Sequence, residues 1–230
     1  MPAVCLHCFA YLVLGSLACS SPGAGGGPTG PRGTVVIAGR QLYLPPGFSI
    51  NLFAQGLAVV RCLALGPHGA VYASLSDDGT IARLVDASGD GVADSVTTVL
   101  AGLEYPFDIA FCGDTMCFAE MTMVKRLDPG ATAPTTLVSN LPSGGHVTRT
   151  LVFGSDNLMY VAIGSSCNVC DESDPRRAAV VRYHLDGSGE HVFARGLRHS
   201  VGPAVNRPRA SSGRTTTTAT TWATTCPRST

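Results

Sequence analysis

The sequence predicts an all-β protein of the β-propeller type, and three observations carry that prediction. Gly and Pro are abundant, 27 and 15 of 230 residues, while charged residues make up only 14%, which is the composition of a turn-rich chain. From Leu44 onward, short apolar runs alternate with turn sequences. Thus "ALGPHGAVYASLSDDGTIARLVD" reads as strand, Pro-x-Gly turn, strand, Asp-Asp-Gly turn, strand. The plan returns in "IAFCGDTMCFAEMTMVKRLDPG" and again from Leu151 to Leu197. Each unit closes on a similar phrase: "LAGL" at Leu100–Leu103, "VSNL" at Val138–Leu141, "ARGL" at Ala194–Leu197. Units of roughly 40–55 residues with about four strands each are the signature of propeller blades. A β-sandwich would not repeat one phrase at a fixed place in each unit.

The elements follow in chain order. Residues 1–20 are expected to be a signal peptide: an apolar run from about Phe9 to Ala18, too short to span a bilayer, precedes the small residues Ser16, Ala18 and Ser20. No Lys or Arg precedes Arg32, so the usual cationic start is missing. "GSLAC" also loosely matches a lipoprotein box ending at Cys19, with Ser16 where Leu is usual. Residues 21–40 read as a Gly/Pro-rich linker. Residues 41–204 read as a propeller truncated to about three blades, whereas closed propellers take at least four.

Residues 205–230 end the blade texture abruptly, with nine Thr among the last sixteen residues. Such a segment reads at face value as a mucin-like or disordered tail. Read one base earlier, however, its codons permit an acidic segment that continues the blade pattern. A frame shift between about Val201 and Arg209 is therefore expected. Three blades would leave strand edges exposed, so the chain as written is expected to be unstable or inactive.

The formal net charge is zero and 45% of residues are hydrophobic. That suffices for a packed domain and gives no electrostatic argument for a nucleic-acid or anionic-membrane partner. In an exported chain the nine cysteines make Cys112/Cys117 and Cys167/Cys170 disulfide candidates, while Cys62 has no evident partner. A single Cys-x-x-Cys is half of a zinc site, and no second pair stands at suitable spacing. A redox-active pair would belong at a helix start, which this context lacks. "DASGDGVAD", Asp86–Asp94, resembles a calcium loop in Asp86, Ser88, Asp90 and Gly91, but Thr97 stands where the bidentate Glu belongs, and a hairpin turn competes. The metal ligands are left unassigned.

His146 follows Ser143-Gly144-Gly145 at the start of a blade's first strand, and Arg149 shares that strand. Arg198 follows "ARGL" at a comparable place in the next unit. A lone His in a β protein is more often a surface or hydrogen-bonded residue. Gathered at one propeller mouth, though, an imidazole and guanidinium groups could take a proton from an alcohol and hold an anionic cofactor.

These stretches resemble the glucose/sorbosone dehydrogenase family. The likeness runs from about Leu44 to Gly202 through "LPPGFSINLFAQGL", "YPFDIAF" and the long segment Ser139–Arg198, whose "GSSCNVC" and "DPRRAA" phrases are similar to the sorbosone-dehydrogenase-like branch. The resemblance implies a six-bladed propeller that oxidises a sugar or aldose, with hydride transfer to pyrroloquinoline quinone (PQQ) and with bound calcium. It implies a small-molecule sugar substrate, an electron acceptor and a secreted or periplasmic location without a transmembrane segment. His146 matches the family's general base and Arg198 its cofactor-contacting arginine, with Arg149 in the matching strand. After that arginine the family has Asn-Pro, where this chain has His199-Ser200. The Asn contact is therefore in question, and His199 joins the expected cofactor-binding set. The competing readings are a non-enzymatic propeller that binds a glycan or protein, and an inactive fragment.

Overall fold

The computed structural model describes residues 10–14, 33–37, 39–46 and 48–205. The expected signal and linker lie largely outside these residues, as do the possible anchor at Cys19 and nearly all of the tail. Within the apolar N-terminal run, β1 (Ala10–Leu14) pairs antiparallel with β4 (Asn51–Leu57). A separate hairpin joins β2 (Gly33–Ile37) to β3 (Arg40–Leu44).

The rest of the described residues are all-β and of propeller type. Three four-stranded sheets follow one another, each ordered as the chain runs. The first holds β5 (Val60–Leu65), β6 (Val71–Leu75), β7 (Thr80–Val85) and β8 (Ser95–Leu100). The second holds β9 (Asp108–Cys112), β10 (Thr115–Ala119), β11 (Val124–Leu127) and β12 (Thr135–Val138). The third holds β13 (Arg149–Phe153), β14 (Leu158–Ile163), β15 (Ala179–His184) and β16 (His191–Arg195). Residue contacts divide the chain into two compact units, Met1–Val59 with Leu84–Val96, and Val60–Arg83 with Thr97–Thr230.

In the second unit, strand alternation explains the packing. Side chains alternate across a strand, and the middle sheet buries both of its faces. Ile109, Phe111, Met116 and Phe118 join a cluster with Ile81 and Leu100. Their neighbours Ala110, Cys117 and Ala119 join the opposite cluster with Leu151, Phe153, Met159, Val161 and Tyr183. Two-sided burial is why "DIAFC" and "TMCFA" read as nearly unbroken apolar runs. The inner strands β5, β9 and β13 are neighbours. Polar bonds tie them together: Asp108 Oδ2 accepts from Leu151 N at 2.8 Å, and Asp108 Oδ1 accepts from Cys62 Sγ at 2.8 Å. Burial raises the pKa of both groups, most strongly that of the thiol.

The repeated closing phrase has one geometry. Its third residue is left-handed each time, with φ of +71° at Gly102, +60° at Asn140 and +74° at Gly196. Gly, and among side-chain-bearing residues Asn, tolerate that region best. The following Leu then donates its N–H back to the turn between the second and third strands. Leu103 bonds Gly79 O at 2.9 Å, Leu141 bonds Thr122 O at 2.9 Å, and Leu197 bonds Ala178 O at 2.8 Å. In the first unit "AQGL" follows suit, with Gly56 at φ +75° and Leu57 buried.

Two stretches singled out in the sequence lie in this part of the fold. Asp86–Asp94 is a hairpin turn between β7 and β8. Asp86 Oδ1 accepts from Gly89 N at 2.7 Å and Oδ2 from Gly91 N at 2.9 Å, while Asp94 Oδ2 accepts from Ala87 N and Ser88 N at 2.7 and 2.9 Å. These bonds, Gly91 N foremost, hold the Asp86 carboxyl below its usual range. The turn's own N–H groups thus satisfy both Asp86 oxygens and Asp94 Oδ2. The Cys112–Cys117 bridge does not form: Cys117 is a free buried thiol, and Cys112 is engaged elsewhere. Cys112 sits opposite Thr115 and Cys117 opposite Ala110, so the two are diagonal neighbours. Diagonal positions lie about 7–8 Å apart, beyond the reach of a disulfide.

Candidate active site

The backbone at the start of β13 is built for close approach. His146 N donates to Ser165 O at 2.9 Å, and Ser165 N donates to Arg198 O at 2.7 Å. Three segments, around 146, 165 and 198, are thereby stitched side by side. Gly164 permits this: a Cβ there would lie 2.4 Å from His146 O and 2.6 Å from His199 Nδ1. A Cβ on Gly145 would lie 2.5 Å from the carbonyl oxygens of both Ser165 and Ser166.

On this base the side chains converge. The half-buried His146 ring packs against His199, centroids 4.9 Å apart at 39°. His146 Nε2 lies 3.2 Å from Asn168 Oδ1, and the exposed Arg198 donates from Nη2 to the same oxygen at 2.8 Å. His199 Nε2 is 2.7 Å from Thr148 Oγ1. Burial, then the neighbouring His146 and Arg198, lower the His199 pKa below its ordinary value. Both histidines and Arg198 are thus brought together.

Arg149 lies below this surface. It is 0% exposed, and its guanidinium faces inward. Nη1 donates to the carbonyls of His146 at 3.2 Å and Thr148 at 3.0 Å, and Nη2 donates to Pro142 O. Burial, with Arg177 adding to it, lowers its pKa to about 10. Arg177 in turn donates to the carbonyls of Gly144 and Ser143. The strand-sharing arginine therefore props up the 142–148 segment and offers no face to a ligand.

Cys167 and Cys170 form a disulfide. Ser165 Oγ donates to Cys167 O at 2.6 Å and Ser166 N to Glu172 Oε1 at 2.7 Å, fixing the ring they close. Cys167, Cys170 and Glu172 lie close enough to hold an ion, but disulfide sulfurs are not thiolate ligands. Asn168, inside this ring, and Thr148 are the site residues that sequence reasoning missed. Beside the cluster a groove of about 630 Å³ follows β5, β9 and β13, reached through Thr148 and lined by Arg61, Cys62, Leu63, Phe107 and Asp108. Arg61 stacks over Phe107 at 5.6 Å from the ring centroid.

The arrangement can accept a proton at an imidazole and present donors to an anion. Among the described residues Arg198 makes one side-chain hydrogen bond, which leaves most of its five N–H groups for a ligand oxygen.

No family model matches the chain, and no curated protein matches it. Among solved structures it is similar to the holo form of the PQQ domain of pyranose dehydrogenase from Coprinopsis cinerea, at 23% identity over 64% of this chain and 41% of that one, TM-score 0.55. It is similar to the calcium structure of a Trichoderma reesei carbohydrate-active enzyme of family AA12, at 22% identity over 76% of this chain and 47% of that one, TM-score 0.57. A streptogramin B lyase structure matches at 14% identity over 85% of this chain and 63% of that one, TM-score 0.50. The chain spans less than half the length of the first two. The likeness is one of fold, in keeping with the three propeller-type blades.

Proposed function

We propose that this chain derives from an exported, PQQ-dependent sugar or aldose dehydrogenase of the sorbosone-dehydrogenase-like type. Propellers host unrelated chemistries, so the reading rests on the site. The observation that carries it is the convergence of His146, Arg198 and His199 on one stitched surface. Two fold neighbours, a PQQ domain and a carbohydrate-active enzyme, add support.

The exposed Arg198 guanidinium fits a quinone carbonyl or carboxylate oxygen, and His199 borders it. When bound, the quinone supplies a two-electron acceptor for the sugar's carbinol hydrogen. His146 takes the hydroxyl proton as that hydrogen departs, and Thr148 holds the neighbouring His199 ring. Arg149 keeps the 142–148 backbone in place through its three carbonyl contacts. Calcium has no comparable donor set at Asp86–Asp94, and no step is assigned to it. Export suits the Cys167–Cys170 disulfide, which would persist in an oxidising compartment. Among the described residues no helix is long and apolar enough to cross a membrane.

The test is to titrate the purified chain with PQQ and calcium, following fluorescence quenching. Dye reduction over a panel of aldoses follows, with His146→Gln as control. Saturable quinone binding supports the reading, and His146-dependent dye reduction would in addition overturn the expectation that the chain as written is inactive. Absence of binding overturns the reading, and binding without turnover favours a propeller that binds and does not catalyse.

A further inference from the structure

We infer that Asn168, held inside the Cys167–Cys170 ring, is a positioning residue that fixes the tautomer of His146, so that Nδ1 is the proton-accepting nitrogen. The base role of His146 rests on the function proposed above; the tautomer does not. One side-chain atom of Asn168 faces both partners. Arg198 Nη2 lies 2.8 Å from it and His146 Nε2 lies 3.2 Å from it. A guanidinium only donates, so the shared atom must be the amide oxygen. An amide oxygen only accepts, so His146 Nε2 must carry the proton. A neutral imidazole has one N–H, and its lone pair therefore sits on Nδ1. Among the described residues Nδ1 makes no hydrogen bond, which leaves it open to a substrate hydroxyl.

The placement of Asn168 follows from the disulfide. Asn168 is exposed and lacks a packed core to hold it. It is confined by the bond between Cys167 and Cys170, a separation of three residues, and by the Ser165 Oγ bond to Cys167 O. Opening the ring frees the amide. The Cys-x-x-Cys thus acts on the site at one remove, through the residue it encloses.

The experiment records long-range ¹H–¹⁵N imidazole spectra of the full-length chain at a pH where the ring is neutral. His146 is assigned by loss of its signals in His146→Gln. The expected result is a slowly exchanging Nε2–H with an unprotonated Nδ1. That proton signal should vanish in Asn168→Ala and in Cys167→Ser/Cys170→Ser. It should return in Asn168→Asp, whose carboxylate also accepts. A proton on Nδ1 in the unaltered chain overturns the inference, as does an unchanged Nε2–H in a folded Asn168→Ala. In a preparation that turns over aldose, Asn168→Ala should lower kcat about tenfold or more with KM little changed. A protonated Nε2 in a chain that binds no quinone supports the role of Asn168 and overturns only the dehydrogenase reading.

Discussion

Replacing Arg149 by Met removes a buried cation of similar length, and the structure sets the size of the effect. The native guanidinium makes three bonds to carbonyls, those of Pro142, His146 and Thr148. Bonds to a charged donor contribute about 1.5–3 kcal/mol each, or about 5–9 together. Against this stands desolvation, which with Arg177 takes the pKa from 12.5 to about 10. At about 1.4 kcal/mol per pH unit that costs the charged form about 3 kcal/mol. The difference predicts that Arg149→Met destabilises the fold by about 2–6 kcal/mol. With an m-value near 2 kcal/mol/M in urea, the midpoint read by tyrosine fluorescence should fall by about 1–3 M. Arg149→Lys keeps the charge but lacks the planar fork, and should do no better. A midpoint unchanged within about 0.3 M in Arg149→Met would refute the claim that this residue braces the 142–148 segment.

Three further outcomes follow from the same geometry. The His199 pKa is lower in the fold than in the unfolded chain, so the unfolded state takes up its proton first as pH falls. The chain should lose stability as pH drops below about 6.5, and His199→Gln should flatten that part of the urea-midpoint profile. Gly164→Ala drives a methyl to 2.4 Å from His146 O and should destabilise the chain by about 1–3 kcal/mol; displaced His146 and His199 imidazole signals would localise the damage. At φ +60°, Asn140→Ala should cost about 1 kcal/mol and Asn140→Gly should be neutral or mildly stabilising, a contrast read from paired denaturation curves.

The blades were legible because strand alternation and turn chemistry are local. "LAGL", "VSNL" and "ARGL" could be aligned by eye, and their shared third residue is the one that must be left-handed. The disulfide at Cys167–Cys170 was equally local, since three residues of separation leave few ways to close. Cys112 and Cys117 misled because a pairing across a hairpin depends on register, and one turn at Gly113 sets the two thiols diagonally. Arg149 looked like a ligand contact because strand position gives no sign of which way a long side chain turns. Asn168 was invisible for a different reason. It stands twenty-two residues from His146 and thirty from Arg198, and only the folded backbone brings the three together.

The closing phrase also accounts for where the chemistry sits. In all three repeats the residue after the phrase's Leu has its carbonyl used by the scaffold. Glu104 O accepts from Met121 N at 3.0 Å, Pro142 O from the Arg149 guanidinium, and Arg198 O from Ser165 N at 2.7 Å. The fold thus claims the main chain at this position and leaves the side chain free to vary, as Glu, Pro and Arg do. It follows that Arg198→Ala should barely alter stability, since its backbone bond survives and its side-chain bond to Asn168 is exposed. Its φ of +46° is shared by the Ala that replaces it. The same variant should lose PQQ affinity at least tenfold, because the guanidinium is the exposed cation of the cluster. A large drop in the urea midpoint would mean that Arg198 is part of the framework. Unchanged stability with unchanged PQQ affinity would mean that the anion is held elsewhere.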